Sequence, residues 1–309
     1  MIKLFTHRDD PDGLGSVVLT KLITEDVDFT LCKDVHELDR FLEDFINSKE
    51  FQNYSQIFVT DLCPSDSVLQ RIDQDSSLSS KFQVFDHHQT SIDGMTKKYS
   101  FVTAYVKKDN IPCCGTSLYY DYLVQRTKEE LLKKKIVMQF VEKTRLHDTW
   151  EWKRLNDKSS FYLQTLFQFL GSYGYYYHFL RKLQSEESMK YTEEEQKWIK
   201  LQEFENARQI KEFATRIFVD SYQNHSVGMV FGSYAVRNDL AEYLKQERPD
   251  LDILMLFAID HQSVSFRSLK ENVEVRSLAE KYPGGGGHEK AASCPLSSLE
   301  PLLLERVLK

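Results

Sequence analysis

Apolar residues recur at helical spacing along several stretches of this chain and crowd into short runs between them. Leu38, Phe41, Leu42, Phe45 and Ile46 make the cleanest amphipathic stripe. The pattern predicts helices over Leu14–Ile23, Glu37–Ile46, Ser65–Ile72, Ser117–Gln125 and Glu129–Thr144. It predicts strands over Ile2–Phe5, Phe29–Leu31, Ile57–Thr60, Phe82–Phe85 and Phe101–Val106, with Asp75–Ser80 as a polar loop. Alternation of this kind implies an α/β fold with a mostly parallel, doubly wound sheet.

From Phe161 to Thr215 the pattern is nearly all helical, broken at Gly171 and Gly174. A charged helix opening at Thr192 reads as a connector rather than a coiled coil, because it is not heptad-regular. Beyond it a smaller α/β domain is expected. Its strands are His225–Phe231, Ile253–Ile259 and an edge-like Ser263–Ser268. Its helices are Asn238–Lys245 and Val275–Tyr282, with Glu289–Ala292 opening a further short one. The expected domains are 1–190, a connector over 191–215, and 216–309.

Composition narrows the picture. The 309 residues suit two ordinary domains, and 41% hydrophobic with 28% charged is typical of a soluble protein. No apolar run approaches the roughly 20 residues that span a bilayer. The chain starts directly in a strand, which predicts no leader and no membrane anchor. Five cysteines without a CxxC pair predict a reducing, cytoplasmic setting. The net charge of −7 argues against salt-driven binding of long duplexes, though not against a short anionic substrate. Tyr173–Phe179 offers rings for stacking bases, but packing within a helical subdomain is the simpler reading for most of them.

The candidate chemistry lies at the ends of predicted elements. His7, Asp9, Asp10 and Asp12 fall in a strand-to-helix turn, Asp61 ends a strand, Asp86-His87-His88 ends another, and Asp148 follows a long helical stretch. Each alone reads as a turn, a cap or a decorated helix end. Together, His7, Asp10, Asp12, Asp61, His87 and Asp148 supply two imidazoles and four carboxylates. That set suits two divalent cations sharing a bridging carboxylate, with Mn²⁺ preferred and Mg²⁺, Fe²⁺ or Zn²⁺ as alternatives. Two such ions about 3.5–4 Å apart form the clamp of phosphoester hydrolysis. Near the C-terminus, Gly284–Gly287 and His288 form a glycine-histidine run whose free amides could face an anion.

His7–Ser16, Asp61, Asp86-His87-His88 and Asp148 resemble, in order and rough spacing, the four motifs of the DHH phosphoesterase superfamily. Tyr282–His288 resembles the GGGH signature of its associated C-terminal domain, found in RecJ-like nucleases and nano-RNases. The first motif is one residue shorter here than in many members. Asp10 is chosen because Asp12–Ser16 matches the motif's ending, and Asp9 is the alternative.

The resemblance implies a DHH-type catalytic domain. One ion would sit on His7 and Asp10, the other on Asp12, His87 and Asp148, with Asp61 between them. Asp86 would orient an imidazole, and His88 would contact the phosphate or donate a proton, although packing behind the site explains His88 equally well. Arg267, Gly285, Gly286, Gly287 and His288 would grip the terminal nucleotide, while Arg267 also reads as a plain surface strand residue. The pyrophosphatase branch lacks GGGH, and RecJ-like enzymes are usually longer. The expected activity is therefore a nano-RNase-like exonuclease releasing nucleoside 5′-monophosphates from short single-stranded oligonucleotides. Linear or cyclic dinucleotides, or adenosine 3′,5′-bisphosphate, are the alternative substrates. A nucleotide-binding regulator with a vestigial metal site is the alternative of another class. A homodimer is compatible with the sequence.

Overall fold

The computed structural model describes residues 1–222 and 224–299, so the end of the expected C-terminal domain, 300–309, lies outside the described residues. The chain divides into two compact units, Met1–Ile199 and Lys200–Lys309. No helix among the described residues is long and apolar enough to cross a membrane.

The first unit contains strands β1 (Ile2–His7), β2 (Val27–Cys32), β3 (Gln56–Thr60), β4 (Phe82–Asp86) and β5 (Val102–Ala104), with a two-residue pair β6 (Lys107–Lys108) and β7 (Ile111–Pro112). Its helices are α1 (Pro11–Ile23), α2 (Val35–Asn47), α3 (Asp66–Gln74), α4 (Ser76–Ser79), α5 (Gln89–Gly94), α6 (Gly115–Arg126), α7 (Lys135–Asp148), α8 (Glu151–Leu155) and α9 (Lys158–Ser185). Among the described residues the main sheet has the order β2-β1-β3-β4-β5, and every pairing in it is parallel.

Side chains alternate across that sheet. Leu4, Phe58 and Phe85 face a core shared with α1, α6, α7 and α9. Phe5, Ile57, Val59 and Val84 face the opposite core, built with α2 and α3. Burial on both faces is why these strands read as continuous apolar runs. The doubly wound parallel sheet expected from the sequence is present.

Several local expectations are corrected. Asp75–Ser80 contains helix α4, because Asp75 caps Ser77. The strand over Phe101–Val106 shrinks to three residues. The helix over Glu129–Thr144 splits into a 3₁₀ turn, Glu130–Lys133, and α7, which runs on to Asp148. Gly171, at φ 67°, kinks α9, whereas Gly174 stays helical.

Helix α10 (Glu193–Thr215) spans the unit boundary. Its first turn is tied to the first unit by the buried Glu195, whose carboxylate accepts from Lys182 at 2.9 Å and lies 2.7 Å from His178 Nε2.

The second unit contains β8 (Phe218–Tyr222), β9 (His225–Phe231), α11 (Arg237–Glu247), β10 (Ile253–Ala258), β11 (Ser263–Ser268), α12 (Arg276–Ala279), β12 (Gly286–His288) and β13 (Ala291–Pro295). Its sheet has the order β12-β13-β11-β10-β9-β8 among the described residues; only β9 and β10 run parallel. β11 is therefore an interior strand, not an edge. Its serines mimic the alternation of an exposed strand although they are buried. Residues 289–292 lead into strand β13 instead of a helix, and α12 is shorter than the stretch Val275–Tyr282.

Candidate metal centre

The C-terminal ends of β1, β3 and β4 lie side by side, and each delivers part of one constellation. In such sheets this edge is where ligands bind. His7 is the last residue of β1. Asp10 caps α1 by accepting from the Gly13 amide at 3.0 Å, and its other oxygen lies 2.7 Å from His7 Nδ1. Pro11 at the first helical position suits this start. Gly13 is required here, since an added Cβ would stand 2.0 Å from the His7 carbonyl oxygen.

Asp61 leaves β3 at φ 59°, an uncommon conformation for a residue with a side chain. It is only 3% exposed. One of its oxygens is 3.5 Å from His7 Nδ1, the other 3.2 Å from His87 Nε2. His87 Nε2 also lies 3.9 Å from Asp12 and 3.5 Å from Asp148. Ligand atoms of His7, Asp10 and Asp61 all fall within 4.8 Å of one another, as do those of Asp12, His87 and Asp148. A third such group is Asp61, Asp86, His87 and His88. Asp9 belongs to none of the three; it faces Arg8 at 3.3 Å.

Asp86 is buried and holds its neighbours. It lies 2.7 Å from His88 Nδ1, accepts the His87 amide at 2.9 Å, and accepts the Ser91 hydroxyl. The His88 side chain remains 52% exposed.

Sequence reasoning missed Gly115 and Thr116, which lie just before the helix expected over Ser117–Gln125. Their amides, at the start of α6, donate to the two Asp12 oxygens at 2.7 and 2.8 Å. The Thr116 hydroxyl donates to the Asp12 carbonyl. Gly115 packs so closely that an added Cβ would stand 2.7 Å from the Asp61 amide nitrogen. The available clue was a Gly-Thr-Ser helix start, whose free amides favour an anion.

Four carboxylates in so small a volume repel one another. Burial, then Asp61 and Asp148, push the Asp12 carboxyl well above its usual range. Burial pushes Asp148 up to about 7, with Asp61 and Asp10 adding to it. Burial acts against ionised Asp61 too, but His7 and His87 outweigh it and hold its carboxyl low. Both imidazoles are held well above their usual value: burial opposes this, and Asp10 for His7 and Asp148 for His87 overcome it.

One oxygen of Asp61 and one of Asp148 are buried without any hydrogen-bond donor. Orphaned carboxylate oxygens beside imidazoles fit divalent cations, which would satisfy both the lone pairs and the excess negative charge.

In the second unit, Arg267 lies opposite Ala291, and Ala291 opposite His288. Directly opposed residues share a face, so Arg267 and His288 are on one side of that sheet, together with Gly286 and Ser293. Arg267 is no loose surface residue. It donates to Asn238 at 2.9 Å and to the Phe266 and Ala292 carbonyls. Burial lowers its pKa to about 10.

The glycine run is shaped by packing more than by free amides. The Gly285 amide donates to Tyr282, and a Cβ there would stand 1.9 Å from the Ala279 carbonyl oxygen. Gly287, at φ 137°, abuts Ala292, whereas a Cβ on Gly286 would meet nothing within 4 Å.

No family model matches the chain. It is 26% identical to oligoribonuclease NrnB of Bacillus subtilis (strain 168) over 299 residues, 96% of this chain and 73% of that protein. Among solved structures it is similar to a DHH domain described as a member of a family of ribosomal proteins, with a TM-score of 0.62 at 16% identity, covering all of this chain and 86% of that one. It also matches the pGpG-specific phosphodiesterase PggH from Vibrio cholerae at 16% identity, with a TM-score of 0.47, over 100% of this chain and 97% of that one.

Proposed function

We propose that this chain, DHH-type in fold and similar along nearly its whole length to an oligoribonuclease, is a metal-dependent phosphodiesterase that degrades short oligonucleotides to nucleoside 5′-monophosphates. The observation that carries this reading is the convergence of two His/Asp groups on Asp61, with buried carboxylate oxygens left without donors.

In this reading His7 and Asp10 would hold one cation, and Asp12, His87 and Asp148 the other, with Asp61, which lies beside both His7 and His87, serving both. Mn²⁺ is our choice, because hard oxygen donors are mixed with borderline imidazoles. When bound, the pair supplies Lewis-acid polarisation of the phosphoryl group and of the attacking water. The chain's own residues do the positioning. The α6 amides fix the rotation of Asp12. Asp86 fixes His88 through Nδ1, leaving Nε2 for substrate. Water adds to phosphorus and the bond to the 3′ oxygen breaks; protonated His88 donates its proton to that oxygen, and the proton lost by the water passes to solvent, from which His88 is reprotonated.

Arg267, Gly285, Gly286, Gly287 and His288 are assigned to the terminal nucleotide. The sheet face shared by Arg267, Gly286 and His288 and the open space at Gly286 support this. Five free, buried cysteines support a reducing, cytoplasmic setting.

The deciding experiment is product analysis with Mn²⁺ on RNA and DNA oligonucleotides of two to ten residues, linear and cyclic dinucleotides, adenosine 3′,5′-bisphosphate and pyrophosphate. Mononucleotides released from the short oligomers are expected. Pyrophosphate hydrolysis with no oligonucleotide cleavage would overturn the reading, and metal binding without turnover on any substrate would favour a regulator.

A further inference from the structure

Just past Asp148 the chain leaves α7 and enters the short α8. Trp150 makes that turn at φ 60°. A bulky residue in the left-handed region is strained and persists only where its surroundings over-determine it. Here they do. The Trp150 amide donates to the His147 carbonyl at 3.1 Å, and the Asp157 amide to the Trp152 carbonyl at 2.9 Å. The buried Arg145 donates to Glu151 and, at 3.1 Å, to the Pro112 carbonyl.

This framework does not serve the packing of Trp150, which is 51% exposed. Among the described residues, none of the hydrophobic cores includes Trp150, Trp152 or Phe161. These rings instead form a strip. Lys153 Nζ lies 4.5 Å from the centroid of Trp150 and 5.6 Å from that of Trp152. Trp152 stacks on Phe161 at 4.8 Å, and Phe161 is 6.3 Å from the ring of His147. His147 immediately precedes Asp148, whose carboxylate lies 3.5 Å from His87 Nε2. The strip therefore begins beside the metal centre and runs outward to solvent.

We propose that Trp150, Trp152 and Phe161 form a base-stacking platform for the nucleotides next to the scissile phosphate, with Lys153 meeting the following phosphate. The proposal rests on the oligonucleotide reading above and adds where the bases go. An exposed ring beside a cation, continued by the half-buried Trp152 and Phe161, is the chemistry that holds single strands without sequence preference, since every base presents a π-face.

The test measures steady-state kinetics on a trinucleotide and on the same trinucleotide with its penultimate base removed. Trp150→Ala should raise KM for the intact substrate about 5- to 150-fold, the equivalent of one lost stacking contact, with the effect falling in KM rather than kcat. Trp150→Phe should recover most of the loss. Wild type and Trp150→Ala should differ far less on the abasic substrate. An unchanged KM in Trp150→Ala, or an equal loss on intact and abasic substrates, overturns the platform while leaving the oligonucleotidase reading intact. Failure of the wild type to cleave any oligonucleotide overturns both.

Discussion

His87 Nε2 stands 3.2 Å from one oxygen of Asp61, while the other oxygen of Asp61 is buried without a hydrogen-bond donor. One carboxylate thus touches both His/Asp groups, at a backbone φ of 59°. Asp61→Ala should bring turnover to background with the fold retained. Calorimetric titration with Mn²⁺ checks the cause: the variant should lose at least one site. A variant that binds two ions as the wild type does would remove Asp61 from the bridge.

Asp86 and His88 should act as a unit. His88→Ala is expected to lower kcat about 10²–10⁴-fold, the usual contribution of a positioned acid. Asp86→Asn, which only loosens that imidazole, should cost about 10–100-fold. Metal content measured on both purified variants separates this from lost ions. If His88→Ala keeps its kcat with metal intact, His88 merely packs behind the site.

Gly115 tests the part that the sequence did not reveal. Gly115→Ala drives a Cβ into the Asp61 backbone at 2.7 Å. Stability should fall by about 1–3 kcal/mol, as for overpacked sites. Activity should fall further than that destabilisation explains, because α6 also orients Asp12. Denaturant melts alongside kcat at a temperature well below the transition separate the two effects.

Glu195 should make the first unit acid-sensitive. Burial disfavours its charge, but His178 and Lys182 overcome this and hold its carboxyl at about 2. A depressed folded pKa contributes stability that is present above the unfolded value of about 4.5 and is lost as pH falls toward 2. Glu195→Gln should cost about 1.5–3 kcal/mol at neutral pH, because it removes one of the two carboxylates that the buried Lys182 donates to, leaving Glu186 and the Lys190 carbonyl. The gap between wild type and variant should narrow below pH 4.5, read from denaturant midpoints across pH.

His288→Ala should impair oligonucleotide turnover more than turnover of bis-p-nitrophenyl phosphate. Arg267→Ala should show the same preference together with lower stability, because its guanidinium bonds Asn238 and two carbonyls. Equal losses on both substrates would move these residues out of nucleotide recognition.

Much of the first unit was legible in the sequence because its strands are buried on both faces. Ile57, Phe58 and Val59 had to be apolar whichever way they pointed, so the run announced a parallel strand. Burial of serines misled the reading of β11: Ser263, Ser265 and Ser268 look solvated in sequence but lie inside a sheet. Likewise Ala291 and Ala292, good helix formers, are drawn into β13 by pairing with β11 and β12.

The sequence by itself determined which side chains could do the chemistry, because His and Asp at strand ends are written locally, motif by motif. Tertiary structure alone decided how they meet. Gly115 and Thr116 reach Asp12 across more than a hundred residues, and Asp61 comes between His7 and His87 only when β1, β3 and β4 lie side by side. Those distances come from sheet order and helix packing, which no local pattern encodes. The physical reason is that each residue's spacing pattern records only its own element's periodicity, while the contacts that tune a charge are made between elements.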